Sequence, residues 1–412
     1  MKLTEAMELL GAEPLARADV ELPPGPGRLN PEPLAAAMTA GKLESAAATE
    51  LLERAVQFAA RPELCGYFNY LSEKLFTEKL RPEGVEGILP SEIKTLSEAE
   101  LYAFYALLAF SGYSAVRHAF AYASLPPDAL AGALRDPAIW VEHFRRNRKL
   151  TGISRRIIGW EAGVLNGEPL TIGRMQYRLA PLHGKIQVYR RRADGLVTAF
   201  ASPGVRCNRA GFIDGVDGEF DPVAWETRFE ITPQVIRGNR IVPEGHILRK
   251  VESIPAADYI PVLREGDLTL DTHIPAGDNL TCGDCKESMN SALDFFRTRY
   301  PEKTIRGFSC LSWMLDPQYE FLLKPDSRLL CFMRQYYLFP IDESGADALW
   351  RIFGEDGLKN GIANAPRKTS MQRNVADFIV RGGRLRSGGG FFLIDEIPRY
   401  GEAPYRKKNG KK

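Results

Sequence analysis

The densest chemistry in this sequence lies between residues 268 and 317. LTLDTHI (268–274) reads as a strand that ends in His273-Ile274-Pro275, and the residues Ala276 to Thr281 turn from it into a helix start. The first amides of a helix have no partner inside it and stand at the positive end of its dipole, so such a turn can hold a phosphate or pyrophosphate. Gly277 and Gly283 would let a backbone approach closely. The same residues also make an ordinary capped helix, with Asp278, Thr281 or Asp284 as the cap, and two of these put negative charge where an anion would sit.

Within that turn Cys282-Gly283-Asp284-Cys285 forms a CxxC at a helix start. A helix N-terminus lowers a thiol pKa, which suits redox chemistry, and Pro325 ahead of an apolar run even permits a thioredoxin-like layout. A zinc site needs two more ligands at matching spacing. Incidental thiols are the third reading. Further on, Ser309-Cys310-Leu311-Ser312-Trp313 ends a strand, and Asp316-Pro317 starts a helix with aspartate at the cap and proline in first place. Cys310 or Ser312 could act as nucleophile or proton donor, with no base close in sequence. Arg174, in Gly173-Arg174-Met175-Gln176-Tyr177, could serve an anionic ligand or an interdomain salt bridge. Nucleotide-binding glycine motifs, the GxSxG elbow and HExxH are absent. Of the five histidines, His118 and His143 lie among large apolar residues in helical segments and read as packing residues.

The elements that must position these groups follow from periodicity. Residues 1–150 read as helical. Ser97 and Glu100 form a capping box ahead of Leu101, Phe104, Tyr105 and Leu108, and Asp136-Pro137 offers a second helix start. From about residue 170 the pattern changes to strands: 174–180, 185–191, 196–202, 227–236 and 245–254. Then come a strand (268–274), a helix (285–299), a strand (304–313), a short helix near 316–324 and a long strand, SRLLCFMRQYYLF (327–339). A helical segment (347–353), a poorly patterned stretch and a Gly-rich strand (387–397) close the chain. The order strand, loop, helix, strand is half of an α/β unit, whose ligand is expected beyond the carboxyl ends of the strands. The fold class is α+β: a helical domain over 1–150, a mixed-sheet α/β domain over 151–400, and a basic disordered tail over 401–412.

Composition narrows the function classes. The 412 residues are 44% hydrophobic and 26% charged, as in an ordinary soluble globular protein. The net charge of +2 comes from the tail: without its five cations, 49 basic residues face 52 acidic ones. A slightly acidic body disfavours nucleic acid as a partner. The longest apolar run, 101–110, is too short for a membrane span, and no secretion signal is read at the N-terminus. Six cysteines in a chain of this length fit a reducing cytoplasm.

Three strings carry a resemblance: Gly173-Arg174-Met175-Gln176-Tyr177, His273-Ile274-Pro275, and Phe308-Ser309-Cys310-Leu311-Ser312-Trp313-Met314-Leu315-Asp316-Pro317. Over about residues 40–340 the chain resembles the bacterial acyltransferase domain-containing proteins, in which a helical N-acyltransferase N-terminal domain precedes a GNAT-like C-terminal domain. The resemblance implies transfer of an acyl group from coenzyme A, as cosubstrate, to an amine, with small-molecule substrates and no metal. It implies donor contacts at Ile274, Gly277, Asn279, Leu280, Thr281 and Gly283, although the usual phosphate loop [QR]xxGx[GA] is replaced by AGDNLTCG. It implies His273 as the base, since an imidazole ordinarily offers its neutral form near pH 7, and Ser312, or less favourably Cys310, as the donor to the departing thiolate. His273 could instead simply orient its turn. A thiol redox protein using Cys282 and Cys285, and a non-catalytic GNAT-like binding protein, are the alternatives.

Overall fold

A computed structural model of the chain describes residues 1–13, 20–23, 25–80, 82–85, 87–122, 125, 129–277 and 280–406. The chain divides into two compact units, Met1–Tyr177 with Ile274–Asp278, and Arg178–His273 with Asn279–Lys412.

The first unit carries helices α1 (Leu3–Leu10), α2 (Pro31–Ala40), α3 (Ser45–Ala59), α4 (Pro62–Phe76), α5 (Pro82–Val85), α6 (Glu98–Ser111), α7 (Tyr113–Tyr122), α8 (Ala129–Arg148) and α9 (Arg155–Leu165). The expected capping box starts α6: Ser97 Oγ accepts from Glu100 N, and the Glu100 carboxylate accepts from Ser97 N. From Ala103 to Ser111 this helix is buried all round, as befits the central helix of a bundle. Phe104 packs there against the rings of Phe58, Tyr67, Phe68 and Tyr105.

Two expectations fail in α8. The helix runs straight through Asp136-Pro137 rather than starting there. Asp136 is buried and accepts from the Gln176 side-chain amide at 3.0 Å, so a tertiary partner takes the carboxylate that would otherwise cap. His143 is exposed, not a core residue; its Nε2 meets the Asn147 amide at 2.7 Å. The side chain of His118 lies outside the described residues.

Strand β1 (Leu170–Ile172) pairs antiparallel with β2 (Met175–Pro181), which begins in the first unit and ends in the second. The second unit continues with β3 (Ile186–Arg191), β4 (Val197–Ala201), β5 (Arg206–Cys207), β6 (Trp225–Glu226), β7 (Phe229–Ile231), β8 (Val235–Ile241), β9 (Ile247–Pro255), β10 (Tyr259–Arg264) and β11 (Leu268–His273). Then follow α10 (Cys282–Arg299), β12 (Gly307–Ser312), α11 (Tyr319–Leu322), α12 (Arg328–Met333), β13 (Tyr337–Ser344), α13 (Ala346–Gly357), α14 (Ser370–Val380) and β14 (Arg386–Leu393). One sheet has the order β2-β11-β12-β14-β13 in this unit, and another has β10-β3-β4-β8-β7 with β9 on β8. The core lies between them, where Ile186, Val188 and Ile241 meet Tyr337, Phe339 and Phe391.

The expected strand over 327–339 is instead α12 followed by β13. Ser327 caps the helix by accepting from Leu330 N at 3.2 Å, and Leu330, Phe332 and Met333 are buried from the helix. The thioredoxin-like layout goes with that strand. The single strand expected over 227–236 is two, folded at a turn where Thr232 N donates to the Val235 carbonyl. Helix α14 lies in a stretch where no element is expected from sequence; it starts at a capping box of Thr369 and Gln372 and buries Val375 and Ala376. Residues expected in a solvated tail are packed as far as Arg406: Tyr405 is wedged among Tyr337, Phe391 and Phe392, and its oxygen accepts from Leu393 N at 2.8 Å. Residues 407–412 lie outside the described set. Among the described residues no helix is long and apolar enough to cross a membrane.

Three glycines in a row let β14 lie between its neighbours. A Cβ at Gly388 would overlap the Leu315 carbonyl, one at Gly389 the Phe339 ring, and one at Gly390 would stand 2.9 Å from Tyr336 Cβ. Gly389→Ala is therefore expected to lower the unfolding free energy by about 1–3 kcal/mol, read from urea denaturation. An unchanged midpoint would mean that Phe339 moves aside at no cost.

Candidate active site

Strands β11 and β12 run parallel, and helix α10 connects them in the order the sequence suggests. Their ladder is short. Thr269 pairs with Gly307, Leu270 with Phe308 and Asp271 with Ser309. Beyond that, among the described residues, β12 keeps bonds only to β14, through Cys310↔Gly390, Leu311↔Gly389 and Ser312↔Gly388. The strands thus form a fork, with His273 on the arm of β11 and Ser312 at the end of β12.

Side chains alternate along a strand, so Thr269, Asp271 and His273 share one face. Just below the fork, the hydroxyls of Thr269 and Ser309 bond at 2.8 Å, and both residues are buried. Asp271 Oδ2 receives His273 Nε2 at 3.0 Å and Arg178 Nε at 2.8 Å. Burial pushes the Asp271 carboxyl up, yet the hydrogen bond and charge of His273, with Arg178, outweigh it and hold the group below the usual carboxylate range. With Nε2 donating, Nδ1 carries the ring's lone pair. The side chain of His273 is 23% exposed, so the ring is both held and reachable.

Ser312 Oγ accepts from Met314 N at 3.1 Å, so its proton remains to be donated. Cys310 is fully buried, and burial drives its thiol well above the ordinary value, followed in effect by Asp271. It packs and has no route to solvent. Thr281 caps α10: its Oγ accepts from Asp284 N at 3.1 Å and donates to the Asp284 carboxylate at 2.6 Å. The Cβ side of Gly283 is open, with Thr281 Oγ1 its nearest neighbour at 3.9 Å. Leu280, Thr281 and Gly283 belong to the second unit, Ile274 and Gly277 to the first, and Asn279 lies outside the described residues. The close approach at Gly277 (φ +107°) is to Ile139 Cδ1, 2.9 Å from where a Cβ would stand. Arg174 donates to the Pro275 carbonyl at 3.0 Å. The thiols of the CxxC are unbridged, and burial, then Cys331, raises Cys282. A reactive thiol needs the opposite shift.

Sequence reasoning passed over Asp271 and Arg178. An aspartate two residues before His273 on a strand was the available signal; nothing in sequence pointed to Arg178.

A profile for the GNAT-like C-terminal domain matches residues 170–392, more than half of the chain. The chain belongs to this family. A search of curated proteins finds no match. Among solved structures, an acyltransferase in complex with decanoyl-CoA and teicoplanin is 19% identical, with 96% of this chain and 100% of that chain covered at a TM-score of 0.61. A mutant acyltransferase in complex with octanoyl-CoA is 19% identical over 95% and 99%, with a TM-score of 0.60. An acyltransferase in complex with CoA and 10C-teicoplanin is 18% identical over 96% and 100%, with a TM-score of 0.61. At these identities the likeness is one of fold, and it extends over nearly the whole GNAT-like chain.

The lowered Asp271 carboxyl stabilises the folded state above the ordinary carboxylate value of about 4, and that contribution is lost as pH falls through the lower, folded value. Urea midpoints taken from pH 5 downward should therefore drop in the native chain and drop less in Asp271→Asn. Equal acid sensitivity of the two would show that the ion pair adds nothing to folding.

Proposed function

We propose that this GNAT-like protein is an acyl-CoA-dependent N-acyltransferase, which moves an acyl group from a coenzyme A thioester to an amine. The observation that carries the reading is the fork of β11 and β12 with the Asp271-held His273 on one arm. Family membership and the acyl-CoA complexes of the similar acyltransferases support it.

The thioester carbonyl lies against backbone N–H groups that the parted strands leave available, and these stabilise the oxyanion as it forms. His273 Nδ1 takes a proton from the amine, whose nitrogen attacks the carbonyl carbon. The carbon–sulfur bond then breaks, and the thiolate takes a proton from the Ser312 hydroxyl, which solvent replaces. Cys310 has a packing role. The donor's phosphates are assigned to the start of α10, at Leu280, Thr281 and Gly283. There the Asp284 carboxylate accepts from the Thr281 hydroxyl, and the Cβ side of Gly283 is open. We assign the reaction to a bacterial cytoplasm, with small-molecule substrates and no nucleic-acid or membrane partner, in keeping with six unbridged cysteines and a slightly acidic body.

Calorimetry with decanoyl-CoA and acetyl-CoA tests the reading. Saturable binding is expected, and no binding at millimolar donor would sink it. In an amine acylation assay, His273→Ala should lower turnover about 10²–10⁴-fold and flatten its pH profile. An unaltered rate and profile would leave His273 a turn residue.

A further inference from the structure

We infer that Arg178 is a positioning residue of this reaction: by sharing one oxygen of Asp271 with His273, it sets how readily the His273 ring takes up a proton. The inference rests on the reading of His273 as the base.

The geometry is specific. Both donors reach Asp271 Oδ2, Arg178 Nε at 2.8 Å and His273 Nε2 at 3.0 Å, and among the described contacts neither uses Oδ1. Three elements of the second unit face this oxygen: β11 through His273, β2 through Arg178, and β12 through Cys310, whose buried thiol stays neutral. In the first unit Arg174 is bonded to the Pro275 carbonyl, two residues past the ring.

A lone buried carboxylate beside an imidazole stabilises the imidazolium, and the stronger that pull, the higher the pH at which a neutral base appears. A guanidinium on the same oxygen draws off part of the carboxylate's charge, so less is left to hold a proton on the ring. Asp271 still fixes the ring's orientation and tautomer, with Nδ1 as the proton acceptor. Arg178 therefore separates two effects that one carboxylate would couple: it lets Asp271 orient the base without over-stabilising its protonated form. Its side chain is 48% exposed, against 10% for Asp271, so its pull is screened by solvent and the expected shift is modest.

The two neighbours must consequently act in opposite directions. NMR titration of the His273 ring in the full chain, free of substrates, is the direct readout, with the pH profile of turnover alongside. Arg178→Gln should move the ring's midpoint up and Asp271→Asn should move it down. Arg178→Lys, which keeps the charge, should stay near the native midpoint. An unmoved midpoint in Arg178→Gln, a shift in the same direction as Asp271→Asn, or a lysine variant that tracks the glutamine variant would each overturn the inference. Arg178 is half in solvent, so its variants retain the fold's buried contacts. The ring titration needs neither thioester nor amine. Ring shifts as expected with no acyl transfer would count against the proposed reaction alone.

Discussion

The parting of β11 from β12 is the constraint on which the rest of the second unit depends. Past Ser309, where β11 has turned away, β12 stays in the sheet through β14, at Cys310, Leu311 and Ser312. That arrangement reaches into composition. The partner residues are all glycine, because Leu315, Phe339 and Tyr336 close over the strand so tightly that any side chain would collide.

The second consequence is a line of polar groups on an otherwise apolar sheet. Thr269 and Ser309 bridge the strands below the point of separation, and Asp271 sits at the last paired position with two donors on one oxygen. Buried polar groups are tolerable only when each finds a partner, and a buried carboxylate only when it is paired. Here the hydroxyl bridge satisfies two groups at once, and the ion pair keeps Asp271 charged close to the point where the base must stand. The features that make the fork affordable are also those that orient His273.

Much of this was legible in the sequence, and the failures have particular causes. The capping box at Ser97, the strands of 174–202 and the strand-loop-helix-strand order around His273 follow local rules, so local reasoning found them. The apolar run 327–339 misled because periodicity cannot distinguish a buried strand from a short buried helix; the cap at Ser327 decides it. Asp136-Pro137 obeys the rule for a helix start, but the aspartate is claimed by Gln176, distant in sequence. Asp271 needed only the two-residue alternation of a strand. Arg178 was beyond reach, because its role exists only once β2 lies beside β11, and no pattern within either strand states that.

Tyr405 gives the fold a dependence on the order of synthesis. Its ring fills the aromatic cluster of β13 and β14, and its oxygen accepts from the amide of Leu393. Arg190 on β3 likewise waits for Asp395 and Glu396, some two hundred residues later. As the chain emerges, the faces of β3 and β4 that meet Tyr337, Phe339 and Phe391 stay open until those residues have been made. Those faces remain exposed to misassembly throughout that interval. This unit therefore completes its core late, whereas the capped helices of the first have the local contacts to begin at once.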